Sequence, residues 1–132
     1  MSIDSPEHIL SAASCTTNAI VPVLKVLDER FGIHAGHLET VHSFTNDQNL
    51  VDNFHKKNRR GRSAPCNMVL TSTGAGKAAG KALPSLLGKL TASAIRVPTP
   101  NVSMVCLACA TILVPTIIFN TTLDCRRCFC WT

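Results

Sequence analysis

The sequence has little charge and few aromatic residues. Charged residues make up 16% of the 132 positions and aromatic residues 5%; tyrosine is absent and Trp131 is the single tryptophan. Apolar residues nevertheless account for 45% of the chain, which excludes an intrinsically disordered tail. The sequence also shows no internal repeat or low-complexity segment. Its 132 residues are the length of one domain, and we expect that domain to bury a modest core.

The N-terminus lacks the pattern of a secretory signal. Its first residues, Met-Ser-Ile-Asp-Ser-Pro-Glu, contain no basic stretch followed by an apolar one. We therefore expect a cytoplasmic location. Disulfides are disfavoured in that reducing compartment, so the seven cysteines are predicted to be thiols, metal ligands or a catalytic group.

Positive charge is concentrated in one segment. The net charge is +5, and residues 56–62 place five basic side chains in seven positions. This segment either faces an anion or is a solvated loop. Aromatic side chains that could stack on bases are not interleaved with it, so we expect no nucleic acid partner.

Hydrophobic periodicity and breaker residues predict both helices and strands. Capping side chains at residues 14–18 and apolar residues at helical spacing from Ile20 to Phe31 predict a helix that stops at Gly32. The other predicted elements are a buried strand at residues 8–13, a strand at 38–44, a short helix or turn at 47–54, a polar loop at 56–65, a helix at 75–83, a strand at 94–97 and a rigid corner at Pro98 and Pro100.

The segment at residues 102–119 carries no charge at all. Its length is near the shortest that spans a bilayer as a helix. Pro115 and several hydroxyl residues interrupt it, and two buried strands joined by a turn would give the same pattern. We therefore expect two strands and no membrane partner.

Cys15 is the first candidate for chemistry. A strand that feeds a helix through Ser14-Cys15-Thr16 would place the thiol at the helix N-terminus, where the helix dipole favours negative charge. His42 could act as its base, because imidazole exchanges protons near neutral pH. Spacing alone does not bring the two together, and both could be structural. The competing histidines are His8, His34, His37 and His55.

Residues 71–74, Thr-Ser-Thr-Gly, predict a phosphate cradle of hydroxyls and backbone amides before a helix. The segment is not a P-loop, because the first glycine of that motif is missing. Gly74-Ala75-Gly76 also fails as a dinucleotide fingerprint, because Ala79 occupies the place of the third glycine.

Four cysteines have the spacing of a zinc site: Cys106-x2-Cys109 and Cys125-x2-Cys128. The first pair lies within the uncharged apolar segment and lacks the knuckle turns that such sites use. We assign no metal ligands, and keep a zinc-binding interaction module, whose basic loop holds an anionic partner, as a non-enzymatic alternative.

Five motifs follow one another along the chain: residues 14–18 (Ser-Cys-Thr-Thr-Asn), 41–48 (Val-His-Ser-Phe-Thr-Asn-Asp-Gln), 59–64, 71–77 and 95–103. Together they resemble the motifs of glyceraldehyde-3-phosphate dehydrogenase. Each motif is weak alone, but their order and gaps resemble the family over about residues 7–104. The resemblance implies an α+β class, with a mixed β-sheet and helices on one face. It divides the chain into a partial catalytic domain at 7–105 and a divergent cysteine-rich tail at 106–132.

The resemblance also implies roles for individual residues. Cys15 would attack the aldehyde of glyceraldehyde 3-phosphate, activated by His42; oxidation by NAD and cleavage of the thioester by inorganic phosphate would follow. The implied phosphate-binding residues are Thr45 and Arg96 for the substrate's phosphate, and Ser14, Thr16, Arg60, Thr73 and Gly74 for the attacking phosphate.

One departure from the family concerns the cofactor. The family places a Rossmann domain before the cysteine motif, whereas only fourteen residues precede Cys15. NAD would therefore be bound mainly by a domain missing from this chain, and we expect the chain to be inactive alone. The intact family implies a homotetramer. Erythrose-4-phosphate dehydrogenase is the alternative relative, while the cysteine context argues against aspartate-semialdehyde dehydrogenase.

Overall fold

The computed structural model describes residues 11–113 and 117–123. These residues form, in chain order, helix α1 (Cys15–Phe31), strand β1 (Ile33–Ser43), strand β2 (Val69–Thr71), helix α2 (Ala75–Ala82), strand β3 (Leu90–Val97), strand β4 (Ser103–Thr111) and strand β5 (Ile117–Leu123). Short 3-10 helices lie at Asn58–Gly61 and Pro84–Leu86.

The five strands form one mixed sheet in the order β2-β3-β1-β4-β5. β1 lies at the centre, parallel to β3 and antiparallel to β4. The β2–β3 and β4–β5 pairs are antiparallel. The predicted α+β class with a mixed sheet is confirmed, and the uncharged segment at 102–119 contributes β4 and part of β5.

The core lies between the helices and one face of the sheet. Its fully buried members occur at every second residue of the central strands and recur along the helices, as expected from periods of about 2 residues in a strand and about 3.6 in a helix. They include Ile20, Leu24, Leu38, Ala79, Val105 and Leu107. Each buried leucine or isoleucine stabilises the fold by roughly 1.5–3 kcal/mol relative to an exposed one. This packing fixes the start of α1 against the sheet.

The ends of α1 follow from the residues that flank it. Ser14 has an extended backbone, and its Oγ accepts a hydrogen bond of 3.1 Å from the N–H of Thr17. At the other end Gly32 has a φ of 66°, which favours glycine, and its N–H donates to the carbonyl of Asp28. The predicted helix that stops at Gly32 is confirmed.

Asp28 ties the end of α1 to two later segments. Its carboxylate accepts hydrogen bonds from Ser85 Oγ at 2.6 Å and from the N–H of Ile33 at 2.9 Å. The Ser85 bond first, then the Ile33 bond, lower the pKa of Asp28 below its ordinary value of 3.8. The folded state therefore favours the ionised carboxylate.

Several predicted elements differ in extent or kind. The strand predicted at 38–44 begins earlier, at Ile33, and the strand predicted at 94–97 is the end of β3. The segment at 47–54 forms turns and bends, the loop at 56–65 contains a 3-10 helix, and the helix predicted at 75–83 is α2.

The strand predicted at residues 8–13 is wrong for residues 11–13, which are exposed and form no strand. Ala13 has a φ of 60°, which a strand does not accommodate. Residues 8–10 lie outside the described residues. The division predicted between 105 and 106 falls inside β4 and stays a prediction. Over the described ranges, no helix has the length and apolar character needed to cross a membrane.

Candidate active site

The sheet places the predicted base beside the predicted guanidinium. His42 on β1 is the register partner of Arg96 on the parallel strand β3. Two residues earlier Thr40 is the partner of Ala94, which pairs in turn with Thr71 of β2. Residues in register point to the same face of a sheet. These side chains therefore lie on the face of the sheet that packs against the start of α1.

Cys15 is the first residue of α1, and its side chain points toward this face of the sheet. Its Sγ lies 3.7 Å from Nε2 of His42, within hydrogen-bonding reach for sulfur. The first turn of a helix has backbone N–H groups without intrahelical partners, and its dipole favours negative charge. The thiol thus stands between a base and a positive helix end, an arrangement that favours the thiolate nucleophile.

His42 is held in one orientation by groups at the end of β1. It is only 8% exposed, and its Nδ1 lies 2.7 Å from the carbonyl oxygen of Ser43. Arg96 Nη1 donates to the same carbonyl at 3.2 Å and lies 2.5 Å from Nδ1 of the ring. These contacts fix the ring on its Nδ1 side and leave Nε2 facing Cys15.

A cavity of about 120 Å³ opens around these groups. It combines one thiol, one imidazole and one guanidinium with several hydroxyls, a set that suits a small anionic substrate. Its lining comprises Ser14, Cys15, Thr16, Thr40, His42, Thr71, Ser72, Thr73, Ala94 and Arg96. Besides Cys15, five of the residues predicted to be catalytic or to bind phosphate therefore line the same cavity.

Thr40 and Thr71 are two buried threonines that line this cavity. They are 3% and 8% exposed, and neither hydroxyl oxygen has a hydrogen-bond partner among the described residues. Buried hydroxyls normally find a partner, so both are suited to bind a ligand or water in the cavity. Thr71 lies in the predicted phosphate cradle. Thr40 was missed, although strand alternation places it on the same face as His42.

Three predicted phosphate ligands lie outside the lining of this cavity. Thr45 Oγ1 donates to Asp47, and Arg60 makes an ion pair with the other oxygen of Asp47. Arg60 lines a neighbouring basic cavity instead. Gly74 is the residue immediately before α2, next to Thr73, whose Oγ1 accepts the N–H of Ala75 at 3.2 Å.

Of the four cysteines of the zinc alternative, the structure describes Cys106 and Cys109, and these two do not converge. Cys106 and Cys109 are three positions apart on β4, so their side chains point to opposite faces of the sheet. Burial also raises the pKa of the Cys109 thiol, which disfavours the thiolate that zinc needs. Cys125 and Cys128 lie outside the described residues. Over the part of the chain that is described, no group of three or more metal-binding side chains is found.

Comparison with known proteins points to one family. Residues 14–114 match the family described as glyceraldehyde 3-phosphate dehydrogenase, C-terminal domain. A glyceraldehyde-3-phosphate dehydrogenase-like protein of Pseudomonas aeruginosa (strain UCBPP-PA14) is 72% identical over 102 residues, which cover 77% of this chain and 22% of that protein.

Two further relatives are similar to the same region. Glyceraldehyde-3-phosphate dehydrogenase 2 of Trichormus variabilis (strain ATCC 29413 / PCC 7937) is 56% identical over 98 residues, which cover 74% of this chain and 29% of that protein. Glyceraldehyde-3-phosphate dehydrogenase 1 of Bacillus subtilis (strain 168) is 54% identical over 103 residues, which cover 77% of this chain and 31% of that protein. The chain spans less than a third of the length of each of these relatives.

Proposed function

This chain belongs to the glyceraldehyde-3-phosphate dehydrogenase family, whose C-terminal domain it matches, and we propose that it carries the nucleophile, base and phosphate-binding part of that oxidoreductase's phosphorylating reaction. The observation that carries the proposal is the 3.7 Å contact between Cys15 Sγ and His42 Nε2 at the start of α1. Glyceraldehyde 3-phosphate is the proposed aldehyde, and erythrose 4-phosphate is the alternative.

The first step is addition of the thiol to the aldehyde. His42 Nε2 takes the proton from Cys15 as Sγ bonds to the carbonyl carbon, and the protonated ring then gives that proton to the former carbonyl oxygen. The product is a thiohemiacetal. Arg96, whose side chain reaches the cavity beside His42, supplies positive charge for the substrate's phosphate.

NAD is implied by the family, and the residues of this chain do not fit it. The glycines at 74 and 76 are followed by Ala79 in place of the third glycine of a dinucleotide fingerprint. Moreover, α2 begins after the short strand β2, which pairs antiparallel with β3, whereas a dinucleotide turn follows a strand of a parallel pair. No hydride-transfer step is therefore assigned to residues of this chain.

The last step is cleavage of an acyl thioester by inorganic phosphate. A phosphate oxygen attacks the acyl carbon, the C–S bond breaks, and the Cys15 thiolate leaves with an acyl phosphate as the other product. Ser14, Thr16 and Thr73 surround Cys15 in the cavity and offer hydroxyl donors to the attacking anion. Cys15 must remain a free thiol, so a reducing compartment such as the cytoplasm suits the proposal.

Alkylation tests the nucleophile without any cofactor. The purified 132-residue chain is treated with limiting iodoacetamide near neutral pH, and the modified cysteines are mapped by mass spectrometry. We expect Cys15 to react first, ahead of exposed Cys66, and His42→Gln to slow Cys15 by about 100-fold, the lower end of what a general base contributes. His37→Gln, another β1 histidine, is the matched control and should leave the rate unchanged. Equal rates at Cys15 and Cys66 would exclude the proposed activation.

A further inference from the structure

A second, larger cavity lies beside the one that contains Cys15. It has a volume of about 530 Å³, against about 120 Å³ for the Cys15 cavity. Thr71 and Ser72 line both cavities, so the two share a wall. The cationic members of its lining are Lys56, Lys57, Arg59 and Arg60. We call it the basic cavity.

Most of the positive charge in the basic cavity is not neutralised by the protein. Arg60 is paired with Asp47. Lys56, Lys57 and Arg59 have no carboxylate within ion-pair distance among the described residues. Three like charges around one cavity repel one another, and an anion between them would remove that repulsion.

Thr71, in the wall shared by the two cavities, adds a second observation. Its side chain is 8% exposed, and its hydroxyl oxygen has no hydrogen-bond partner among the residues that are described. A buried hydroxyl without a partner loses the free energy of its hydrogen bonds to water, unless a ligand or an ordered water replaces them. Thr71 lines the cavity together with the four cations, so its side chain borders the space that an anion would occupy.

We propose that the basic cavity binds a linear oligophosphate, either free or as the tail of a nucleotide. Several cations around a volume this large fit a chain of phosphate groups better than a single phosphate, and the guanidinium of Arg59 can hold two phosphate oxygens at once. The lining contains no aromatic side chain on which a nucleic acid base could stack. This site goes beyond the proposed chemistry and does not depend on it.

Calorimetric titration of the full chain tests the site. Sodium tripolyphosphate, inorganic phosphate and sulfate are titrated separately at equal ionic strength, because screening weakens all anion binding. We expect saturable binding of tripolyphosphate at one site, at least about tenfold tighter than inorganic phosphate. Tripolyphosphate that binds no more tightly than phosphate or sulfate would overturn the proposal.

Matched variants separate a built site from general attraction. Lys56→Gln combined with Arg59→Gln should weaken tripolyphosphate binding about tenfold or more. Lys25→Gln combined with Arg30→Gln removes the same charge from exposed positions on α1 and should change little. Equal weakening in both double variants would mean diffuse charge and contradict the site.

Two further arms complete the experiment. Thr71→Val, which keeps the shape of the side chain, should also weaken tripolyphosphate binding; unchanged affinity would exclude contact with the shared wall. ATP with the affinity of tripolyphosphate indicates a site for phosphates alone, and tighter ATP binding that requires Lys56 and Arg59 indicates a nucleotide. Cys15→Ser, which abolishes the proposed chemistry, should bind tripolyphosphate normally, so the two proposals can fail separately.

Discussion

Ser14→Ala tests whether the cap of α1 holds the nucleophile in place. In the structure Ser14 Oγ accepts the N–H of Thr17 at 3.1 Å and lies 2.8 Å from Thr17 Oγ1. Alanine removes both contacts and leaves the N–H of Thr17 without its acceptor. Cys15, the next residue, begins the helix, so fraying of this turn would move its Sγ away from His42.

The expected magnitude follows from the lost cap. Replacing a serine cap by alanine costs about 1 kcal/mol of unfolding free energy. With a urea dependence of about 2 kcal/mol per molar, the midpoint of urea unfolding should fall by about 0.5 M. Circular dichroism at equilibrium measures this shift, and the alkylation assay on the same samples measures the reactivity of Cys15.

The control variant is Ser14→Asn, because asparagine caps helices as well as serine does. It should restore the urea midpoint and most of the Cys15 reactivity. If Ser14→Ala unfolds at the wild-type midpoint and Cys15 keeps its rate, the cap neither stabilises α1 nor positions the thiol. A fall in stability without a change in rate would refute only the positioning argument.

Three other changes have defined outcomes. Gly61→Ala would place a methyl group 2.3 Å from the carbonyl oxygen of Asn53, so we expect a loss of about 1–3 kcal/mol in urea unfolding, as overpacking usually costs. Asp28 has a lowered pKa in the folded state, so its stabilising effect is complete above pH 3.8 and is lost as the pH falls below that value; Asp28→Asn should flatten the acid limb of stability against pH, whereas Glu29→Gln should not. Thr73→Val should slow the release of acetyl phosphate from a chain that 4-nitrophenyl acetate has acetylated on Cys15. We expect about a tenfold decrease at several phosphate concentrations if one hydroxyl contact to phosphate is lost.

Each of these predictions has its own contradicting result. A Gly61→Ala chain as stable as Gly74→Ala, where an added Cβ meets nothing within 4 Å, would exclude the close backbone contact. Parallel acid limbs for the wild-type and Asp28→Asn chains would exclude the hydrogen bonds to that carboxylate. Phosphate-dependent release that is unaffected by Thr73→Val would place the attacking anion elsewhere in the cavity.

Local patterns predicted α1 and α2 well because their caps, glycines and apolar spacing act within a few residues. The ends of strands were less predictable. β1 begins at Ile33, directly after the Gly32 cap, although residues 33–37 show no strict alternation. The strand predicted at residues 8–13 is absent at residues 11–13, where alanine favours strands weakly and Ala13 has a positive φ before the Ser14 cap.

The candidate site was predictable in its chemistry but not in its geometry. Cys15 and His42 were singled out by residue type and by resemblance, whereas their proximity depends on how α1 packs on β1. The positions of Thr45 and Arg60 were also beyond sequence reasoning, because both are held by Asp47, an exposed residue in a loop. Thr40 could have been found by applying strand alternation backwards from His42.

The pairing of His42 with Arg96 has a consequence for how this site is assembled. The two residues are 54 positions apart in sequence, and the parallel pair β1–β3 closes only after the intervening segment has folded back. Contacts of such long range form slowly, because the loop must be closed before they add stability. Cys15 and His42 can meet early, through α1 and the strand that follows it. Arg96 should therefore complete the site late in folding, and a protease cut in the exposed segment near Phe54 would leave Cys15 and His42 on one fragment and Arg96 on the other.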